Sequence, residues 1–390
     1  MLESIKKVDK KIIIMMGILI AVIAIILIAV LILTLTGGRN LSYEKIENKL
    51  SSAAESYCKD NDDKLPKKLG EEVTIELATL VSAGYIKDLS EYVDEKVSCN
   101  AKVIVGKNHS GYDYVPALDC GKDYKTIFLA DKLKENVVTE GPGLYQVSAP
   151  NVDMGLDADG YDLSTNELMF GYIFRGEKLN NYIQFGDKKS KDNQKYKIVK
   201  IDGNDDIMVV VISNTKEKGE YDNRYNPETD EKTGKNDYTT SRALENIGEI
   251  YDKLDNNSII KQKVVTKNIC IGARAYDDTT KDGTTECRTV MKDQYYSLLP
   301  AYDVLNASLE PLCSTTTDKL CGNYNYLSIG NTYWTSTPST KNSYTAYSVG
   351  GGLSSSPVTN QYVYKYAFYL SSRLVYVSGT GTSDDPYIVK

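Results

Sequence analysis

Residues 12–35, IIIMMGILIAVIAIILIAVLILTL, decide the overall organisation of the chain. A charge-free run of more than about 20 residues, coiled as a helix, matches the roughly 30 Å hydrocarbon core of a bilayer. Four lysines precede the run within residues 1–11, and only Arg39 follows it closely. Because positive residues stay on the cytoplasmic side of a membrane, we expect 1–11 to be a cytoplasmic tail. Residues 12–36 are then a transmembrane signal anchor in contact with lipid, and the C-terminal part lies outside the cell.

A cleaved secretory signal is the alternative interpretation of this run. The apolar region of such a signal is roughly 7–15 residues long and ends in a small-x-small cleavage site. The run here is longer and continues through LTLTGG at residues 33–38, which offers no such site. The sequence therefore favours an uncleaved, single-pass anchor in the cell membrane.

Length and charge limit the classes of partner. The chain has 390 residues and a formal net charge of −7 at pH 7. This length accommodates an anchor and two domains of ordinary size. An acidic exterior part lacks the basic surface that nucleic-acid binding requires. We therefore expect no nucleic-acid partner.

Cys99 and Cys120 predict a disulfide-closed hairpin. The residues between them include VIVGKNHSGYDYV, which is typical of two strands around a turn at 107–111. Residues that pair across a hairpin have nearly constant sums of their sequence numbers. On that register the two cysteines meet at the open end of the hairpin, where a disulfide is geometrically feasible.

The remaining cysteines predict two further local disulfides. Cys270 and Cys287 bracket a Thr- and Asp-rich loop, and Cys313 and Cys321 bracket a short polar loop. An exported chain with no C-x-x-C motif and no Cys/His cluster favours disulfides over metal ligation. Cys58 is left over, and we expect a buried or free thiol on a helix, with intermolecular pairing as the alternative.

Residues 40–128 predict a small α+β module. Apolar residues between Tyr43 and Tyr57 recur at spacings of three and four, which predicts a helix that continues out of the membrane. A second helix is expected around 75–83, ending at Gly84, and the disulfide-closed hairpin follows. This outline resembles a pilin or pseudopilin, which would self-associate through the N-terminal helix. The chain departs from prepilins because Gly17 lies in the middle of the apolar run and no acid follows it.

Residues 129–168 are polar and irregular, and we interpret them as a linker. The segment DADGYD at 157–162 suggests a calcium loop. An EF-type loop with Gly160 at its sixth position would need acidic ligands at residues 155 and 166, where Gly155 and Asn166 stand. We therefore expect a solvated acidic turn, no metal and no cofactor.

Residues 169–390 predict a second α+β domain. Strands, then two helices, then further strands argue against a parallel sheet. The strands are expected at 171–174, 182–185, 196–201 and 207–212, and the helices at 240–254 and 300–308.

Three segments of this domain carry a family resemblance: LLPAYDVLNAS at 298–308, YWTSTPS at 333–339 and GTGTSDDPYIV at 379–389. With them, the tract resembles bacterial surface domains of the C-type-lectin-like, formylglycine-generating-enzyme-like fold. The family's usual Trp-Arg is Tyr196-Lys197 here, and its usual Arg-Pro is replaced near Tyr366-Ala367. The resemblance implies a lectin-like fold over about 220 residues.

The fold alone does not specify a function, because it hosts enzymes, calcium-dependent lectins and binding scaffolds. The active-site cysteine string of the oxidases and the Glu-Pro-Asn or Gln-Pro-Asp elements of the calcium lectins are missing here. The single histidine, His109, lies in the predicted hairpin turn, which excludes His-dependent triads and HExxH metal sites. Paired carboxylates for glycoside hydrolysis stay open. We expect a protein that is not an enzyme.

Tyrosine usage suggests a binding face. The chain has 31 Tyr against 5 Phe and 1 Trp. Tyrosines interleaved with Ser, Gly and Asn are typical of antibody paratopes, since they offer a large contact area at low entropic cost. The alternative is that these rings build strands, and Trp334 in particular is expected in the core. The predicted ligand-binding residues are Tyr324, Tyr326, Tyr333, Trp334, Tyr344 and Tyr347.

Two functions therefore remain. The first is a membrane-anchored surface protein whose lectin-like domain binds an extracellular protein or glycan in adhesion. The second is a pilin-like structural subunit that assembles through its N-terminal helix.

Mass spectrometry of the native N-terminus separates these functions. An anchor that is never processed keeps Met1, and this is the expected result. Cleavage near the apolar run with N-methylation of the new terminus would instead identify a processed pilin.

Overall fold

The computed structural model describes residues 41–148, 170–185, 195–212, 217–254 and 258–390. The predicted tail and anchor, and residues 149–168 of the predicted linker with DADGYD, lie outside the described residues. Among the helices that are described, none combines the length and the apolar character needed to cross a bilayer.

The described chain is α+β, with many strands and few helices. The α-helices are α1 Tyr43–Asp60, α2 Leu77–Ser82, α3 Leu129–Lys134, α4 Arg242–Asp252, α5 Ile259–Lys263 and α6 Ala301–Asn306. Short 3₁₀ turns cover Asp62–Lys64, Leu89–Glu91, Tyr238–Thr240, Glu286–Arg288 and Lys319–Gly322. The strands are β1 Glu72–Glu76, β2 Asn100–Asn108, β3 Gly111–Asp119, β4 Gly143–Ser148, β5 Phe170–Arg175, β6 Tyr182–Phe185, β7 Lys195–Ile201, β8 Ile207–Val211, β9 Lys218–Gly219, β10 Val264–Val265, β11 Lys267–Cys270, β12 Val290–Gln294, β13 Ser297–Leu298, β14 Tyr333–Pro338, β15 Thr345–Val349, β16 Leu353–Pro357, β17 Tyr362–Val363, β18 Tyr366–Leu370, β19 Tyr376–Ser378 and β20 Tyr387–Val389.

The described residues divide into two compact units. The smaller unit comprises 41–64, 74–104 and 114–125. The larger unit comprises 65–73, 105–113 and everything described from 126 to 390.

The smaller unit is built on one face of α1. Ile46, Leu50, Ala54 and Cys58 recur every four residues along this helix and are fully buried, which is the pattern of an amphipathic helix packed on a core. The Cys99–Cys120 disulfide closes the open end of the hairpin, with a Cα–Cα distance of 4.1 Å. The predicted pairing is confirmed, and Cys58 is a buried, free thiol. Burial raises the pKa of that thiol.

The core of the larger unit is a mixed sheet of ten strands among the described residues. The order along the main path is β10-β18-β8-β7-β6-β20-β19, with β13 on β18 and β4 joined through β5 to β7. Every residue of β8 and β18 is buried. Such continuous apolar runs are typical of strands covered on both faces. Tyr196 packs between Phe185 and Phe368, with ring centroids 5.5 and 5.4 Å apart.

A second sheet in the same unit has the strand order β16-β15-β14-β17-β9 over the described residues. Its central strand β14 is entirely buried. Trp334 on this strand donates its indole N–H to the Gly219 carbonyl at 3.0 Å, which satisfies the polar atom of a fully buried ring.

Several sequence predictions are confirmed by these elements. The α+β class, strands β5 to β8, helices α4 and α6, and the disulfides Cys270–Cys287 and Cys313–Cys321 all form. The helix expected near residue 75 begins at Leu77, because Ile75 belongs to strand β1.

The predicted linker is wrong for residues 129–148. Leu129, Ala130 and Leu133 form the buried face of α3, and β4 pairs with β5 along its whole length. Both elements are only six residues long. Isolated elements of this length are unstable, so they form only through tertiary packing, which a polar local composition does not reveal.

Candidate functional site

The structure separates the six predicted ligand-binding aromatics into two groups. Tyr326, Tyr333, Trp334 and Tyr347 are at most 2 % exposed. Tyr324 and Tyr344 are 59 % and 37 % exposed. Of the six predicted residues, only Tyr324 and Tyr344 are therefore exposed enough to contact a ligand.

The buried rings use their polar atoms inside the protein. The hydroxyl of Tyr333 donates to the Leu327 carbonyl at 2.9 Å, and that of Tyr347 donates to the Arg274 carbonyl at 3.2 Å. A tyrosine satisfied in this way serves as a core residue. The polar composition of this segment therefore predicted an exposed surface, whereas four of its aromatic residues lie in the protein interior.

Exposed apolar side chains occur on two neighbouring loops of the larger unit. We call Tyr276, Leu312, Leu320 and Tyr324 the loop surface; they are 63 %, 68 %, 40 % and 59 % exposed. The loops are joined by a hydrogen bond from the Thr317 amide to the Tyr276 carbonyl at 3.3 Å. Binding residues are disproportionately carried on loops that a rigid scaffold positions.

A buried arginine fastens both loops to the core. Arg274 is fully buried, and its Nη1 donates to both carboxylate oxygens of Glu286, at 3.1 and 2.9 Å. Its Nε donates to the Thr316 hydroxyl at 2.7 Å. The Thr316 amide in turn donates to the Asp278 carbonyl at 2.9 Å. One guanidinium therefore links the loop that carries Tyr276 to the loop between Cys313 and Cys321.

The disulfides and a glycine contact restrain the same loops. Cys313–Cys321 closes the loop that ends just before Tyr324, and Cys270–Cys287 flanks the loop that contains Tyr276. A side chain at Gly322 would collide with the Gly351 carbonyl. The backbone of this loop therefore lies directly against a neighbouring turn.

Tyr324 has an unusual backbone conformation. Its φ is +45°, in the left-handed region that residues other than glycine rarely adopt. The Leu309 amide donates to its carbonyl at 3.2 Å, and Asn325 donates its side-chain amide to Val304 at 2.7 Å. Strain of this kind persists where surrounding contacts enforce it, and it is concentrated at functional sites. Tyr324 is therefore held outward by its neighbours.

Two of the buried tyrosines face a pair of lysines. The Lys365 Nζ lies 4.0 Å from the ring centroid of Tyr333, and the Lys197 Nζ lies 5.4 Å from that of Tyr326 and 5.0 Å from that of Tyr182. We call Lys197 and Lys365 the lysine pair. Among the described residues, no carboxylate forms an ion pair with either ammonium. Burial, followed by the charge of Lys197, lowers the pKa of Lys365 to about 8, and burial also lowers the pKa of Lys197.

The single histidine occupies a packed aromatic environment. The His109 Nε2 is 3.1 Å from the Tyr251 hydroxyl, and its ring packs tilted against that of Tyr295, with 4.5 Å between centroids. Burial, and then the Lys261 charge, lowers the pKa of His109. In the part of the chain that the structure describes, no group of three His, Cys, Asp or Glu side chains is arranged to hold a metal ion.

The chain matches no protein-family model, no curated protein and no solved structure. The assignment of a site therefore depends on the geometry above.

Sequence reasoning missed part of the loop surface and the lysine pair. Leu312 and Leu320 each adjoin a predicted disulfide cysteine in a polar loop. A single apolar residue there belongs to no helical or strand-like hydrophobic pattern, so the sequence does not show whether it is exposed. Lys365 interrupts an aromatic run, YVYKYAFYL at 362–370. A lysine within a strand-like apolar run is a signal of a buried charge.

The lysine pair predicts a pH dependence of stability. The pKa of Lys365 is about 8 in the folded chain against 10.5 for an ordinary lysine, so the unfolded chain binds more protons between these values. The contribution of Lys365 to the free energy of unfolding therefore rises as pH increases from about 8 to 10.5, by at most about 1.4 kcal/mol per pH unit. Urea denaturation at several pH values in this range should show a smaller increase of the free energy of unfolding with pH for Lys365→Met than for wild type.

The matched control is Lys341→Met, which removes an exposed lysine and should leave the pH slope unchanged. Equal slopes for Lys365→Met and wild type would show that Lys365 titrates normally.

Proposed function

We propose that this chain is a single-pass membrane protein that displays a C-type-lectin-like domain on the cell exterior and binds an extracellular protein through the loop surface. The observation that carries the proposal is the outward placement of Tyr276, Leu312, Leu320 and Tyr324 on loops clamped by a buried arginine. Pre-ordered loops lose little entropy on binding. The three disulfides are consistent with an oxidising, extracellular location.

The lectin-like assignment is supported by the motifs at 298–308, 333–339 and 379–389 and by the α+β class of the larger unit. The anchor is supported by the apolar run at 12–35. Adhesion follows from joining the two, since an anchored domain presents its loops to other surfaces.

A protein ligand is favoured over a glycan by the residue types on the loop surface. Leu312 and Leu320 have no hydrogen-bonding atoms in their side chains, whereas sugars need hydrogen bonds to their hydroxyls. Exposed aliphatic groups beside tyrosines are typical of protein interfaces, in which a few central residues supply most of the binding energy.

The pilin-like alternative is supported by one structural observation. Helix α1 packs on a small module that the Cys99–Cys120 disulfide closes. In that function the N-terminal helix would mediate self-association, and the larger unit would be carried on the assembled fibre.

Binding assays on loop variants test the first proposal. Full-length protein in detergent micelles, screened against arrays of extracellular proteins and of glycans, should bind a protein ligand. Tyr324→Ala and Leu312→Ser should each weaken that binding by about tenfold or more, because truncating a central interface residue costs about 2 kcal/mol or more.

The matched control is Tyr225→Ala, which removes a tyrosine that is 53 % exposed outside the loop surface; its affinity should equal that of wild type. Binding only to glycans would reject a protein ligand. Binding that survives both loop substitutions would reject the loop surface as the site.

A further inference from the structure

The lysine pair places two positive charges inside the larger unit. Lys365 is only 7 % exposed, and Lys197 is half-buried. Lys197 lies against the ring of Tyr326, and Lys365 contacts the ring of Tyr333 and the Ile329 carbonyl, so both ammonium groups reach the same segment, 326–333. The charge of Lys197 also lowers the pKa of Lys365. Like charges in such proximity are unfavourable unless an opposite charge accompanies them.

The surroundings of the pair compensate little of this cost. The free-energy cost of moving an ammonium group out of water exceeds the stabilisation that a cation–π contact supplies. Lys365 also donates one hydrogen bond, to the Ile329 carbonyl at 3.4 Å. An ammonium has three donors, so donors remain available for a ligand. Within the described ranges, no acidic side chain neutralises either charge.

A second polar group, adjacent in sequence, also lacks a hydrogen-bond partner within the described part of the chain. Ser328 adjoins Ile329 in sequence and is 7 % exposed, and its hydroxyl has no hydrogen-bond partner among the residues that the structure describes. Buried hydroxyls are nearly always hydrogen-bonded in native proteins. An unsatisfied hydroxyl, one residue from the carbonyl that accepts Lys365, is a second indication that a polar ligand completes this region.

We propose that Lys197 and Lys365 form a binding site for a doubly charged oxyanion, a phosphate or sulfate group. Two ammonium charges match a dianion, and lysine binds phosphate as a point charge. The proposal rests on the lysine pair and not on the loop surface, so each can fail without the other. The half-buried Lys197 and Tyr182 place one side of the pair at the protein surface, where an anion carried by a larger molecule can reach it.

Isothermal titration of full-length protein in detergent micelles at pH 7 tests this site. The probes are inorganic sulfate and inorganic phosphate, and the references are acetate and chloride at equal ionic strength. We expect saturable binding of one dianion per chain, with acetate and chloride much weaker. A preference for phosphate or for sulfate identifies which of the two groups the natural ligand carries.

Substitutions locate the binding. Lys365→Met and Lys197→Met should each weaken dianion binding by about tenfold or more, because each removes a charged hydrogen-bond donor. The exposed control Lys341→Met should bind as wild type does. Lys197→Arg keeps the charge at the half-buried position and should retain most of the affinity, which separates loss of charge from loss of folding.

Three results would overturn the proposal. The first is absence of saturable binding of either dianion. The second is acetate binding as tightly as sulfate and phosphate. The third is dianion affinity that is unchanged in the Lys197→Met/Lys365→Met double variant.

Discussion

The buried ion pair between Arg274 and Glu286 is the interaction on which the larger unit's loops depend. Both side chains are fully buried, and the Arg274 Nη1 donates to both carboxylate oxygens of Glu286 in a charge-assisted contact. Removing one partner of such a pair costs about 3–5 kcal/mol, because the other charge is left uncompensated. The chain must therefore keep both residues together, and the loops bonded to Arg274 are held with them.

This constraint explains how irregular backbone carries an ordered surface. The segments around Tyr276 and Tyr324 have little regular secondary structure, so ladder hydrogen bonds do not fix them. The guanidinium of Arg274, the two neighbouring disulfides and the close contact at Gly322 fix them instead. The positive φ of Tyr324 is then tolerated, since contacts on both sides over-determine its conformation. Binding of a ligand to this surface therefore costs little entropy, because the loops are already ordered.

The sequence predicted the parts of the fold that depend on local pattern. The amphipathic face of α1, the strands from β5 to β8, and three disulfides formed by nearby cysteines follow from periodicity and spacing. It did not predict elements that only tertiary contacts stabilise, such as the six-residue helix α3 and strand β4. Burial of Tyr333 and Tyr347 was also hidden, because their hydroxyl partners, Leu327 and Arg274, are backbone carbonyls that the sequence does not identify as partners. The loop surface and the lysine pair depend on such contacts.

Hydrogen exchange at single backbone amides tests most directly whether Arg274 and the disulfides hold the loop surface in place. The relevant amides are those of Thr316, Thr317 and Leu309, which donate to Asp278, Tyr276 and Tyr324. Pre-ordered loops should exchange far more slowly at these amides than an unstructured peptide does, and Arg274→Met should abolish the protection at Thr316 and Thr317. Exchange at peptide rates in the wild-type protein would contradict the account, because loops that open freely cannot present a pre-formed surface.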